Sequence, residues 1–207
     1  CEIDFEILCQ DDSSNKFLQE NHEINTIKKA HFSRNDCNLG RGKNINLISQ
    51  KAHFDYLLIL DCDTFPKDSL FIKKYVEKIK KDKPAVVFGG IVYQENQPTE
   101  EQLLRWVYGN KREANPVEQR NQDPNKNALT SNLLIRKDIF TRYPFDDAIT
   151  KYGYEDLCFL SVLESNGITV SHMENPTYHL NLETSLQFLN KTKIALENLA
   201  NLVDSKK

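Results

Sequence analysis

Tyr56-Leu57-Leu58-Ile59-Leu60-Asp61-Cys62-Asp63 is five apolar residues followed at once by two acids that bracket a cysteine. The apolar five show no alternation, so they are expected to form a central strand covered on both faces. Asp61 and Asp63 then sit at the carboxyl edge of that strand, the edge at which open α/β sheets bind ligands. An Asp-x-Asp on a tight turn can aim two carboxylates at a hard cation such as Mg²⁺ or Mn²⁺, whose other positions go to waters and substrate phosphates. That makes a diphosphate site without a P-loop. An isolated Asp-x-Asp more often just caps its turn, but an acid pair against a buried strand is costly without a cation or hydrogen bonds.

Working upstream, Asn38-Leu39-Gly40-Arg41-Gly42 is a loop, and Ile45, Ile48 and Ala52 give the helix behind it one buried face. Further back, a first strand over Phe5 to Gln10 stops at Asp11-Asp12-Ser13-Ser14-Asn15, a turn and N-cap cluster expected to open a helix over Lys16 to Glu20. A weaker extended segment lies near Thr26 to Phe32. Downstream, Ile72, Val76 and Ile79 mark a lysine-rich helix over Asp68 to Lys81, and Ala85 to Tyr93 is the next strand, with Gly89 and Gly90 suited to close backbone approach. Gln94 to Asn127 is polar apart from Leu103, Leu104, Trp106, Val107 and Tyr108, and reads as a functional loop or lid rather than core.

Ser131 to Arg136 is again strand-like, a helix runs from Glu155 to Glu164, and Ile168 to Met173 and Pro176 to His179 are extended. The last helix carries Leu182, Leu186, Leu189, Leu196, Leu199 and Val203 on one stripe, which is expected to dock on the domain. Alternation of strands with helices predicts a single α/β domain on a mainly parallel sheet. Its parts are a nucleotide-binding half (1–93), the polar insertion (94–127), an acceptor or catalytic half (128–181) and the C-terminal helix (182–207).

The 207 residues suffice for one such domain. With 27 basic against 30 acidic residues and a net charge of −3, nothing global attracts nucleic acid. No apolar run approaches the ~20 residues of a membrane span. Five cysteines without a CxxC pair point to free thiols, a reducing compartment and no cysteine zinc site. A cytoplasmic protein, or one peripheral to a membrane surface, is expected.

A second acidic group is Tyr152-Gly153-Tyr154-Glu155-Asp156. Gly153 permits a sharp turn, and Glu155 and Asp156 then begin a helix whose dipole favours ionised carboxylates. One of them facing a pocket suits a general base, with the tyrosines as a floor for a sugar ring, although acids in a first turn also serve stability alone. His179 is by default a half-buried histidine and becomes a third metal ligand if the fold brings it to Asp63; His172 has a similar pattern with a weaker case. Trp106, the single tryptophan, is either a packing anchor or a stacking platform for an acceptor.

In this order the pieces resemble the family 2 glycosyltransferases of GT-A fold, from Phe5 to about Leu182. Phe5 to Ser14 is similar to the family's second strand and its Asp-Asp-Gly-Ser turn; Asn38-Leu39-Gly40, Asn46 and Asp61-Cys62-Asp63 follow its Asn-x-Gly, Arg-Asn and Asp-x-Asp run. Ser131 to Lys137 resembles the strand before the acceptor site, Tyr152 to Asp156 the Gly-x-Glu-Asp motif, and His179 the late metal-binding histidine.

The resemblance implies metal-dependent sugar transfer, with inversion, from a UDP-sugar or other nucleotide diphosphate donor to a carbohydrate or lipid-linked acceptor, in polysaccharide or glycoconjugate synthesis. Asp63, Asp61 and His179 would hold Mn²⁺ or Mg²⁺, and Asp11, Asp12, Arg41, Asn46 and Asp61 would contact the donor. Asp156 would be the base with Glu155 beside it, and Asn132, Tyr154 and Trp106 would face the acceptor. Ile45 stands where the family has Arg, a loss that Arg41 or Lys43 can offset, and Ser13 replaces Gly. The family's first strand and its Pro-x-Tyr-Asn turn would precede Cys1, so the chain is expected to be a fragment of a longer enzyme. Two rivals remain: a haloacid-dehalogenase-like phosphatase with Asp61 as nucleophile, disfavoured by Phe65-Pro66, and a catalytically silent nucleotide-sugar-binding domain.

Overall fold

The computed structural model describes residues 3–149 and 152–204, with side chains through residue 201. Ile7–Asp11 (β1) and Ala30–Arg34 (β2) pair in parallel, joined by a short helix, Leu18–His22 (α1), and a 3-10 turn over Glu23–Thr26. Arg41–Gln50 (α2) leads into Tyr56–Leu60 (β3) and the short Thr64–Pro66 (β4). Phe71–Asp82 (α3) precedes Val86–Phe88 (β5) and Ile91–Val92 (β6). Leu103–Arg112 (α4) and Val117–Arg120 (α5) lie in the insertion; Asn132–Arg136 (β7), Lys137–Arg142 (α6) and Glu155–Ser165 (α7) follow. Ser171–His172 (β8), Thr177–His179 (β9) and Ser185–Asp204 (α8) complete the chain.

The α/β domain is as expected, but its pairing is mixed rather than mainly parallel. In the order β3-β7-β5-β8, β7 runs antiparallel to both neighbours, and the β4-β9-β6 sheet has one antiparallel and one parallel pair. The insertion between β5 and β7 lets β7 return against β5 instead of crossing over to lie parallel. β3 ends its ladder and β1 belongs to a separate pair, so β3 is not central among the described residues. Its five side chains accordingly stay partly accessible.

The strand expected over Ala85 to Tyr93 is divided, because the chain changes sheets at Gly89-Gly90. Gly90 has φ +100°, and a Cβ on Gly89 would stand 2.3 Å from the Tyr75 hydroxyl and 2.5 Å from the Asn175 carbonyl. The change of sheet puts β9, and His179 at its end, beside β4 and the acidic turn.

The core between sheet and helices holds Val86, Phe88, Leu133 and Ile135 against Phe140, Phe145, Phe159, Leu160 and Leu163, with the Phe145 and Phe159 rings stacked at 4.5 Å. Each such side chain contributes about 1.5–3 kcal/mol on burial. On the other face, Phe71 and Tyr75 of α3 cover Val87 and Leu134. The insertion is more than a loop: Arg120 is 1% exposed, donates to the carbonyls of Phe88 and Met173 and lies over the Phe88 ring.

α8 docks, but not by the stripe its leucines suggest. Leu186, Leu189 and Leu196 are 70%, 55% and 55% exposed. Phe188, Ala195 and Asn198 face the domain instead, with Leu199 alone of the stripe leucines within α8 turned partly toward it, and Val203 lies outside the described side chains. The opposite face wins because it fits Tyr108, 5.1 Å from Phe188, and Gly153, where a side chain would strike Ala195. Among the described residues Cys9, Cys37, Cys62 and Cys158 form no disulfide, and no helix is long and apolar enough to cross a membrane.

Candidate active site

The end of β3, the start of α2 and the start of α7 meet at Arg41. Its Nη2 and Nε donate to Asp61 Oδ1 at 2.7 and 3.2 Å, and its Nη1 donates to Asp156 Oδ1 and Thr130 Oγ1, both at 2.8 Å. The planar guanidinium fork holds its donors in fixed, spread positions and so serves partners on three segments at once, where a lysine offers a single point charge. Burial alone would lower the Arg41 pKa, but the Asp156 and Asp61 carboxylates outweigh it and push it up. At Asp61 burial leads and raises its pKa in spite of Arg41.

The turn that carries the acids is closed by Thr64, whose N–H and hydroxyl both donate to the Asp61 carbonyl at 3.1 and 2.8 Å. Neither carboxylate is needed to close the turn. Asp63 lies beside His179, with Nε2 3.3 Å from Oδ2, a contact secured by the Leu180 N–H on the Asp63 carbonyl at 2.8 Å. The hydrogen bond from His179 holds the Asp63 carboxyl below its usual range, against burial. The His179 ring stands edge-on to Tyr93, and its Nδ1 is buried without a partner.

Among the described residues no three His, Cys, Asp or Glu side chains converge tightly enough to hold a metal ion by themselves. The expected trio is therefore corrected: Asp61 is turned to Arg41, leaving Asp63 and His179 as the adjacent pair. The Asp63 carboxylate and the His179 Nε2 beside it fit a Mn²⁺ or Mg²⁺ that takes its remaining ligands from water and a diphosphate.

On α7, Asp156 Oδ1 also accepts the Thr130 hydroxyl at 2.5 Å and Oδ2 the Thr130 N–H at 3.2 Å. Burial raises the Glu155 pKa, and its Oε2 has no partner. Tyr154, at φ +68°, forms the N-cap of α7 and is half-buried.

Other expected contacts turn out to be structural. Asn132 is 0% exposed, its amide donating to Gly90 and Asn175 carbonyls and accepting from Tyr75, so it ties sheet to helix rather than meeting an acceptor. Asn46 exchanges hydrogen bonds with the Phe145 backbone and donates to Asp147. The Asp12 carboxylate accepts Asn35 and the backbone N–H groups of Leu39 and Gly40, setting the loop before Arg41, and Asp11 caps the turn at Ser14. Trp106 donates to the Gln94 carbonyl at 2.8 Å, the anchor role. His172 accompanies Arg120, away from the acids. Ile45 packs against the core, while Arg41 supplies charge four residues earlier.

Thr130 was not visible as a site residue, since its partner lies 26 positions away. Arg105 carries no local signal either. It pairs with Glu113 at 3.1 Å between the rings of Tyr93 and Phe188 and lowers the Asp63 pKa from a distance.

Among solved structures, S. aureus TarS 1-349 in complex with UDP matches with TM-score 0.60 at 16% identity, over 86% of this chain and 51% of that one. GalNAc-T7 with UDP, GalNAc and Mn²⁺ matches with TM-score 0.60 at 16% identity, over 86% and 38%. The mannosyltransferase PcManGT from Pyrobaculum calidifontis, in complex with GDP-Man and Mn²⁺, gives 0.56 at 12% identity, over 84% and 47%. These likenesses are of fold, the GT-A fold, and the chain spans about half or less of each structure's length. No curated protein matches the sequence. The model of the family described as Glycosyl transferase family 2 matches residues 1–143 of the 207. With that match over two thirds of the sequence, and a GT-A fold with its acids at the strand ends, the chain belongs to glycosyl transferase family 2.

Proposed function

We propose that this chain carries the site for transfer of a sugar from a UDP-sugar to an acceptor hydroxyl, with inversion at the anomeric carbon. The observation that supports it best is Arg41 held between Asp61 and Asp156 next to the Asp63–His179 pair. Cationic and anionic groups stand together there, as a diphosphate on one side and a hydroxyl on the other require.

Asp63 and His179 would hold Mn²⁺ or Mg²⁺, which when bound stabilises the charge of the leaving diphosphate. Asp61 keeps Arg41 facing the donor phosphates. Asp11 and Asp12 shape the loop on which the nucleotide rests. Asp156 takes the proton of the acceptor hydroxyl while its oxygen forms the new bond to the anomeric carbon and the bond to the diphosphate oxygen breaks. Glu155 orients the acceptor, and Tyr154 borders it. The acceptor class is a carbohydrate or lipid-linked glycan, in polysaccharide or glycoconjugate synthesis.

Calorimetry with UDP and Mn²⁺ tests the donor half: metal-dependent binding is expected, and Asp63→Ala removes it. Binding indifferent to that change and to chelator refutes the metal role. Asp156→Asn is expected to leave UDP binding intact and to cut transfer by about 10²–10⁴-fold; full turnover in that variant refutes the base.

A further inference from the structure

We propose that α8 aims Asp156, and that Asn198 is a positioning residue for the transfer, acting through the turn ahead of α7. The inference rests on the reading of Asp156 as the base.

Gly153 and Tyr154 are consecutive left-handed residues, at φ +98° and +68°. A non-glycine residue in that region persists only where its surroundings impose it. The surroundings here are one face of α8. Asn198, 5% exposed, donates from Nδ2 to the Gly153 carbonyl at 2.7 Å. Ala195 lies so close that a Cβ on Gly153 would come within 2.5 Å of its own Cβ. Lys191 Nζ stands 5.1 Å from the Tyr152 ring centroid. The spacing 191, 195, 198 puts all three on one side of the helix.

The first helical bond of α7 runs from the Cys158 N–H to the Tyr154 carbonyl at 2.9 Å. The turn therefore sets the rotation of α7 about its axis, and with it the direction of Asp156. The carboxylate meets Arg41 at 2.8 Å and the Thr130 hydroxyl at 2.5 Å only in that rotation. This also accounts for the helix docking by its less apolar face: Ala195 and Asn198 fit the turn, where leucines would not.

The test is a double-mutant cycle with hydrogen exchange alongside. Turnover is read as UDP released with Mn²⁺ from whichever of UDP-glucose, UDP-galactose and UDP-N-acetylglucosamine the unmodified protein uses fastest. Asn198→Ala is expected to lower kcat by about 10–100-fold, the effect of misplacing a reacting group by about 1 Å, with the Kd for UDP unchanged within about twofold. In the Asp156→Asn background the same change is expected to cost less than about twofold, since its route of action is already gone. Amide exchange is expected to quicken at residues 153–158 and at Thr130 while β5 stays protected.

Equal kcat losses in both backgrounds, a parallel loss of UDP affinity, or unaltered exchange overturns the proposal. Failure of the base reading shows separately, as full turnover in Asp156→Asn alone. Asn198→Asp keeps the volume and removes the donor, and gives the same readings if the alanine variant does not fold.

Discussion

Replacing Arg41 by Met removes the one cation shared by Asp61 and Asp156 while keeping an apolar stem against Phe145, whose ring centroid lies 6.0 Å from the guanidinium. Breaking a fully buried pair by deleting one partner costs about 3–5 kcal/mol. The three side chains here retain 28%, 33% and 28% exposure, so solvent screening reduces the expected loss to about 2 kcal/mol. For a chain of this size that lowers Tm by roughly 4–8 °C. Arg41→Lys, which keeps the charge and loses the fork, is expected to lose about half as much.

The pH dependence has a definite sign. Asp61 is already raised from 3.8 by burial, with Arg41 opposing, and without Arg41 it rises further. A carboxyl raised in the folded state makes the native chain bind more protons than the unfolded one, so stability falls as pH rises through that window. The deficit of Arg41→Met is therefore full near pH 8 and shrinks as pH falls toward 4. Thermal unfolding of the two proteins across that range is the assay. An unchanged Tm at pH 8, or a deficit that grows on acidification, would refute the coupling of the two carboxylates through Arg41.

Glu155→Gln is expected to raise Tm at neutral pH, because burial raises the Glu155 pKa and its ionised form is the costly one; the gain vanishes below about pH 4, where both side chains are neutral. Gly89→Ala is expected to lose about 3 kcal/mol or more in urea unfolding, since its Cβ would meet the Tyr75 hydroxyl, the Asn175 carbonyl and the Asn132 amide at 2.3, 2.5 and 2.6 Å. Phe188→Ala is expected to cost about 2 kcal/mol, whereas Leu186→Ser and Leu189→Ser each stay within about 0.5 kcal/mol, because those leucines face solvent. Chemical denaturation of the three variants distinguishes the faces, and large losses at the leucines would reverse the assignment.

Local patterns carried far where the chemistry is local. Tyr56 to Leu60 announced a strand ending in Asp61-Cys62-Asp63, and Gly153 announced the turn before Glu155, because strand formation and tight turns depend on a few adjacent residues. The fates of Asn132 and Asn46 were not legible. An amide that faces a ligand and one that ties a sheet to a helix look alike in sequence, and their partners, Tyr75 and Phe145, lie 57 and 99 positions away. The leucine stripe of α8 misled for a related reason: periodicity names a hydrophobic face but not the surface available to receive it.

What the sequence determined alone is the set of acids, their placement at strand and helix ends, and a family whose α/β scaffold presents them. Each follows from short-range preferences and from the order of motifs along the chain. Which groups meet follows from packing: Arg41 with both Asp61 and Asp156, His179 with Asp63, and the Asn198 amide with the turn ahead of α7. Those pairings depend on β7 running antiparallel between β3 and β5 and on the chain changing sheets at Gly89-Gly90. Both are set by packing among residues far apart in sequence, which no local pattern records.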